Sequence, residues 1–318
     1  MQTAISYALL IALLVCSTVQ HIGDRSRLLM LLMFVPVTPL ALWALLWDAR
    51  RRGHALRVRW SLTLLALGAE AVALGSLWRP ARAPERGGTG ERVRLLQWNT
   101  LWGGRGPQQL ADVLDRIDAL QPDVVFLSEA PRNARLRRAW SERHAGWYLA
   151  NTGSREDDAY WYNLTVLSRR RVQLRQEWTL QTGHAALFDV QLPARSMRVL
   201  LADLQSSPIL PRSPSIRQLA QLVEARARGP EAVDVVLGDF NTPGHFLGFD
   251  ALAAAGGGFR RAALWSGQWR GTWPSFLPLP MFDIDHVWVS ARWRVQSAEI
   301  FSGPPSDHRG QRVDLRAP

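Results

Sequence analysis

Several short apolar runs in this chain stop abruptly at a residue able to do chemistry. LLQWNT delivers Asn99, VVFLSEA delivers Glu129, VLLADLQSS delivers Asp203, and VVLGDFNTP delivers Asp239 and Asn241. MFDIDHVWVS adds Asp285, and PPSDHRG adds Asp307 and His308. Carboxylates, amides and one imidazole are oxygen-rich donors suited to general acid–base work and to a hard cation such as Mg²⁺, or Mn²⁺. The single cysteine, Cys16, excludes an intrachain disulfide, and no close cluster of Cys or His offers a zinc cage. Each residue alone has a plainer role: Asn99 and Asn241 suit turns, and Asp239 suits a helix cap. Their repetition at the ends of apolar runs is what favours a site, because strand ends of one sheet meet at one rim.

The elements that must position them alternate between strands and amphipathic helices. The pattern predicts strands at Val93–Trp98, Asp123–Leu127, Val199–Leu204, Val233–Leu237 and Asp285–Ser290. It predicts helices at Gln108–Leu120, with Leu110, Val113, Leu114 and Ile117 at helical spacing, and at Ser215–Arg226. Residues 93–318 therefore read as one α/β domain.

The preceding chain is different. Three apolar runs, Thr3–Val19, Leu28–Trp47 and Trp60–Trp78, approach the ~20 residues that cross a bilayer as a helix. Trp43, Trp47, Trp60 and Trp78 sit near run ends, where interfacial aromatics belong. Residues 1–78 are thus expected to be a transmembrane region of three spans, with Pro36 and Pro39 kinking the second. Residues 79–92, rich in Pro, Gly and charge, are expected to be a flexible linker. Arg50, Arg51, Arg52, Arg57 and Arg59 crowd the second loop, whereas the first holds Arg25 and Arg27. The positive-inside rule puts the former in the cytoplasm, and the domain after Trp78 on the periplasmic or extracellular side of a cell membrane. The net charge of +11 is carried by arginine alone among the basic residues that are charged at pH 7. The α/β part, with 29 arginines against 24 acids from residue 85 on, is only mildly basic and lacks the dense stripe of a nucleic-acid binder.

The QWN strand, the Glu-terminated DVVFLSE strand, GDFN, IDHV and the terminal SDH stand in the order found in the endonuclease/exonuclease/phosphatase superfamily, which the chain resembles from Val93 to Leu315. The Thr272–Trp273–Pro274 triplet is also similar to bacterial membrane-anchored members. The resemblance implies a four-layer α/β sandwich of two packed mixed sheets flanked by helices. It implies Mg²⁺-dependent hydrolysis of a phosphodiester or phosphomonoester, with nucleic acid, a phospholipid headgroup or a small molecule as substrate, membrane lipid as neighbour, and no protein partner. Position by position, Glu129 looks like the main metal ligand, with Asn99 beside it and Asp307 near the metal. Asp239 resembles the base that activates water, and Asn241 the amide that holds water and a phosphoryl oxygen. Asp285 and His308 resemble the carboxylate–imidazole pair.

One position departs from the pattern. Many members carry a histidine where this chain has Asp203. A carboxylate there is a further metal ligand, an acid whose pKa is raised, or the sign of an altered substrate. The competing reading is a catalytically degenerate domain that binds phosphate or lipid. His286 follows Asp285 on the same strand, so it faces the opposite side and is read as packing. His245 is expected to start a helix or line the rim. The arginines of 132–143 are read as a solvated helix face. Trp265, Trp269 and Trp273 either rim the substrate groove or bury a loop.

Overall fold

A computed structural model describes residues 2–22, 27–50, 56–85, 90–104, 106–153, 163–229 and 231–317. Arg25, Arg51, Arg52, His54 and linker residues 86–89 lie outside the described residues. The domain is built on two six-stranded sheets. The first contains β1 (Arg92–Asn99), β2 (Val124–Ser128), β3 (Tyr148–Asn151), β4 (Thr165–Ser168), β11 (Arg294–Phe301) and β12 (Gly310–Arg316) in the order β11-β12-β1-β2-β4-β3. The second contains β5 (Val172–Leu180), β6 (Gly183–Gln191), β7 (Ser196–Leu204), β8 (Val235–Asp239), β9 (Phe259–Arg261) and β10 (Asp285–Ser290) in the order β5-β6-β7-β8-β10-β9. The pairs β1–β2 and β7–β8 are parallel and the other pairings antiparallel, so both sheets are mixed.

Strand alternation decides which side chains meet. Val93 and Leu95 of β1, Val199 and Leu201 of β7, Val235 and Leu237 of β8, and Val287 and Val289 of β10 share one buried cluster between the sheets. The intervening residues face outward: Leu96 and Trp98 pack under α5 (Pro107–Leu120) and α6 (Asn133–Arg143), and Leu200 and Val236 under α7 (Ser213–Glu224) and α8 (Asp250–Ala254). Burial on both faces explains why these strands are apolar throughout rather than alternating. The layers are helix, sheet, sheet, helix, as the resemblance implies.

Among the described residues the N-terminal part holds four helices instead of three: α1 (Gln2–Ile22), α2 (Arg27–Met33), α3 (Val37–Ala49) and α4 (Leu56–Leu77). The expected second span is divided at Phe34–Pro36. Pro36 lacks an N–H and holds an extended backbone at φ −69°, ψ 123°, and Pro39 falls in the first turn of α3, where proline is tolerated. The division leaves two helices, Thr3–Ile22 and Arg59–Leu77, long and apolar enough to cross a membrane. Helices α1, α3 and α4 share a core of Leu9, Leu13, Cys16, Ala41, Ala44, Leu62 and Ala66, while α2 packs on the outer layer of the second sheet through Met30 and Met33. Residues 79–85, expected to be flexible, are held instead. The Arg82 N–H donates to Leu264 O, Trp265 Nε1 donates to Ala83 O, and Glu85 pairs with Arg260.

Candidate active site

The alternation that fills the core also builds the site. Continuing the inward parity along each strand gives Gln97 and Asn99 on β1, Asp203 on β7, Asp239 on β8, Asp285 on β10 and Gln311 on β12. All six are buried. Where the apolar inner faces stop, the same faces turn polar. Register fixes the juxtapositions: Asp203 lies beside Asp239 across the parallel β7–β8 pair, and Asp285 beside Asp239 across the antiparallel β8–β10 pair.

Asn99 is the bridge. Its Nδ2 donates to Asp239 Oδ2 at 2.9 Å and to Glu129 Oε1 at 3.2 Å, while its Oδ1 accepts the Leu101 N–H. Glu129 follows the end of β2 with a left-handed backbone, φ 42°, and its carbonyl is tied by the Trp102 N–H and the Thr100 hydroxyl. Asn241 is also left-handed, φ 46°. Its N–H donates to Asp239 Oδ1 at 2.8 Å and its Nδ2 to Leu204 O at 2.7 Å. His308 Nδ1 lies 2.9 Å from Asp285 Oδ2, and its Nε2 is 3.8 Å from Asp239 Oδ2 and 3.9 Å from Asp307 Oδ1. Asp307 is the least buried member, and its Oδ2 accepts from Trp273 Nε1 at 3.1 Å.

The electrostatics follow from burying many acids together. Burial, then repulsion from Asp285, lifts Asp239 to about 7. Burial and the nearby Asp239 and Glu129 carboxylates hold Asp203 well above the usual range. Burial also raises Glu129, against the Asn99 hydrogen bond. For His308, burial alone would lower the pKa, but Asp285 and Asp239 together with the Asp285 hydrogen bond lift it to about 10. The site therefore pairs an imidazolium at His308 with carboxyl groups at Asp203, Asp239 and Glu129 that are all raised above their ordinary range.

That donor set fits a hard divalent cation. Asp239, Asp285 and His308 offer ligand atoms within 4.8 Å of one another. A metal ligand must be deprotonated, however, and His308 is held as the cation of an ion pair. Glu129, bonded to Asn99 and within electrostatic reach of Asp307, stands outside that ion pair.

Every residue expected from the sequence is accounted for here: Asn99, Glu129, Asp239, Asn241, Asp285 and His308 are linked by direct contacts, Asp203 adjoins Asp239, and Asp307 stands at the His308 side. His286 points outward, its Nε2 2.9 Å from Thr242 O and its ring among Phe240, Phe249 and Trp288. His245 lies against His21 of α1, ring centroids 4.8 Å apart. Trp265 is buried, and Trp269 donates to Pro280 O. Sequence reasoning missed the supporting residues. Gln97 reaches Asp285 Oδ1 at 3.4 Å, Gln311 donates to Asp285 O at 2.6 Å, and Ser306 donates to Asn99 O at 2.6 Å. Gln97 carried a signal, two residues before Asn99 and so on the same face, and Ser306 opens the SDH motif; Gln311 carried none.

No curated protein is matched by sequence. Solved structures of similar fold include the human Nocturnin catalytic domain with bound sulfate anion (18% identity, 76% of this chain and 99% of that chain covered, TM-score 0.56). A Bacteroides thetaiotaomicron mannosyl-6-phosphatase is similar at 14% identity, covering 70% of this chain and 99% of its own, with TM-score 0.55. D. rerio TDP2 complexed with single strand DNA product is similar at 16% identity, covering 71% and 100%, with TM-score 0.54. Residues 96–308 match the model of the Endonuclease/Exonuclease/phosphatase family. Its members are generally phosphoester hydrolases and typically depend on a divalent metal. With Asn99, Glu129, Asp239 and His308 brought together at the rim of two packed sheets, and with that match spanning most of the domain, the chain belongs to the endonuclease/exonuclease/phosphatase family.

Proposed function

We propose that this chain is a Mg²⁺-dependent phosphoesterase, with Mn²⁺ as an alternative ion, tethered to the membrane by residues 1–78 and catalysing through residues 93–318. The observation that carries the reading is one carboxylate: Asp239 Oδ2 accepts from Asn99, itself bonded to Glu129, and lies 3.8 Å from the Nε2 of His308. A base, a cation seat and a charged donor are thereby within reach of one phosphate.

Glu129, with Asn99 and Asp307, would hold the metal, which when bound supplies positive charge to the phosphoryl oxygens. Asp239, poised near neutral pH and steadied by the Asn99 amide and the Asn241 N–H, takes a proton from the attacking water. The water oxygen bonds to phosphorus as the P–O ester bond breaks. His308, kept protonated by Asp285, donates to a phosphoryl oxygen. Burial beside Asp239 and Glu129 favours the protonated form of Asp203, so it stands as a donor where many family members have histidine and gives its proton to the departing oxygen. Asn241 holds the water and a phosphoryl oxygen.

The tether rests on the two long apolar helices and on their outer faces. Ile11 and Leu14 of α1 and Leu64 and Leu67 of α4 are 52–63% exposed, apolar side chains that a bilayer would cover. The test is hydrolysis of a soluble diester by the purified full chain in detergent. Chelator should abolish turnover and Mg²⁺ should restore it; turnover unaffected by exhaustive chelation refutes the reading.

A further inference from the structure

The two long helices end at the same end of the domain as the site. Strand β1 starts at Arg92 and climbs ~23 Å to Asn99, at ~3.3 Å per residue. Helix α4 does not enter from the Arg92 end. Leu77 O accepts the Arg270 N–H, two residues before Thr272, whose hydroxyl takes the Asp285 N–H. The chain then runs down the domain past Leu264, Trp265 and Val295 before β1 begins. Helix α1 ends beside the site as well, with His21 Nδ1 3.3 Å from His245 O.

The domain's exposed apolar side chains follow the same geography. Among the described residues from 92 onward, six large apolar side chains are exposed: Leu101, Tyr148, Ile209, Leu247, Phe276 and Leu279. Leu101 stands two residues after Asn99 and donates its N–H to the Asn99 Oδ1. Ile209 is on the loop before Arg212, whose guanidinium stacks on Phe34, between α2 and α3. Leu247 is in the short turn that touches α1. Only Tyr148, on the edge strand β3, is elsewhere.

Phe276 and Leu279, 78% and 57% exposed, occupy one loop. The loop leaves the site at Ser275, whose N–H donates to Asp307 O and whose hydroxyl donates to Ser306 O. It reaches the helices at Met281, which lines a small cavity with Gln20, Pro36, Ala73 and Leu77. Arg309, next to His308, holds it by donating to Leu277 O and Pro278 O. An apolar tip braced by the site on one side and by two span-length helices on the other is what a surface resting on lipid requires.

We propose that the active-site mouth opens onto the bilayer, that the 275–280 loop seats Phe276 and Leu279 at the headgroup–acyl boundary, and that the substrate is a phosphate ester in the headgroup of a membrane lipid. Water adds across the P–O bond: its oxygen joins phosphorus and the ester oxygen leaves with a proton. The substrate assignment rests on the phosphoesterase reading; the position of the loop does not.

The experiment uses the full chain in vesicles of phosphatidylethanolamine and phosphatidylglycerol, with Cys16→Ser as background. A nitroxide on Phe276→Cys should be more accessible to oxygen than to a water-soluble nickel chelate, and one on Glu142→Cys, on α6, the reverse. Equal nickel access at both positions overturns the loop assignment. The Phe276→Asp/Leu279→Asp double variant should lose about tenfold or more in vesicle phospholipid hydrolysis, because charge replaces apolar burial, and keep its rate on bis(4-nitrophenyl) phosphate. Wild-type protein that cleaves the soluble diester or single-stranded DNA and leaves the phospholipid intact overturns the lipid substrate. Wild-type protein that cleaves none of them overturns the phosphoesterase reading as well, while the labels still report where the loop lies.

Discussion

Replacing Asp239 by asparagine separates two effects of one buried carboxylate. Loss of the base should cut hydrolysis by ~10²–10⁴-fold. The same change should stabilise the metal-free fold at alkaline pH. Asp239 has a folded pKa of about 7, above its ordinary 3.8, so its contribution is fully present below the lower value and lost as pH rises through the upper one. Thermal melts without metal should show Asp239→Asn gaining on wild type between about pH 5 and about pH 8. A gap that stays constant contradicts the raised pKa. Because Glu129 and Asp203 are raised in the same direction, Mg²⁺ should raise the wild-type melting point more at the higher pH. Asp203 is tested by comparing asparagine with alanine. An amide still donates a hydrogen bond, so Asp203→Asn should retain more turnover than Asp203→Ala, with Mg²⁺ affinity unchanged in a titration. A fall in affinity for both would make Asp203 a metal ligand. The site residues were legible as polar groups ending apolar runs. The role of their supports was not, because Gln97 and Ser306, although they stand within the QWN and SDH motifs, act on partners about two hundred residues away.

Gly238 sets the pairing of β7 and β8 that brings Asp203 alongside Asp239. Its φ is +136°, and a Cβ there would lie 1.8 Å from Ala202 O. Gly238→Ala should therefore cost at least ~1–3 kcal/mol in urea denaturation, through backbone strain and displacement of β7, and should reduce activity along with stability. Unchanged stability would mean the strands tolerate a side chain between them. Strands buried on both faces announce themselves as unbroken apolar runs, which is why β1, β2, β7, β8 and β10 were readable. The hairpin β5–β6 and the strands β11 and β12 were not: β5 exposes Arg175, Gln176 and Glu177 in mid-strand, β11 interleaves Arg294, Gln296, Ser297 and Glu299 with its apolar residues, and they pair by contacts that no local pattern records. The broken second apolar run was misread for the opposite reason. Its composition suits a span, and only the backbone at Pro36 reveals two helices.

In the whole molecule, two sheets bring the strand ends to one rim and the N-terminal helices end beside that rim. Arg50, which caps the C-terminus of α3, and Arg59, in the first turn of α4, lie at the other end of those helices. With Cys16→Ser as background, a cysteine at Arg50 and one at Glu142 should react with an impermeant maleimide from opposite sides of sealed vesicles. Labelling from one side contradicts a membrane crossing. The most direct test of the account is anomalous diffraction from crystals of the full chain soaked in Mn²⁺. The predicted result is a peak beside Glu129 and Asn99, about 2.0–2.2 Å from a carboxylate oxygen and lost on Glu129→Ala, with Asp239 and His308 facing it. Strong anomalous peaks elsewhere and none in that space, in crystals of protein that still hydrolyses a diester, would contradict it.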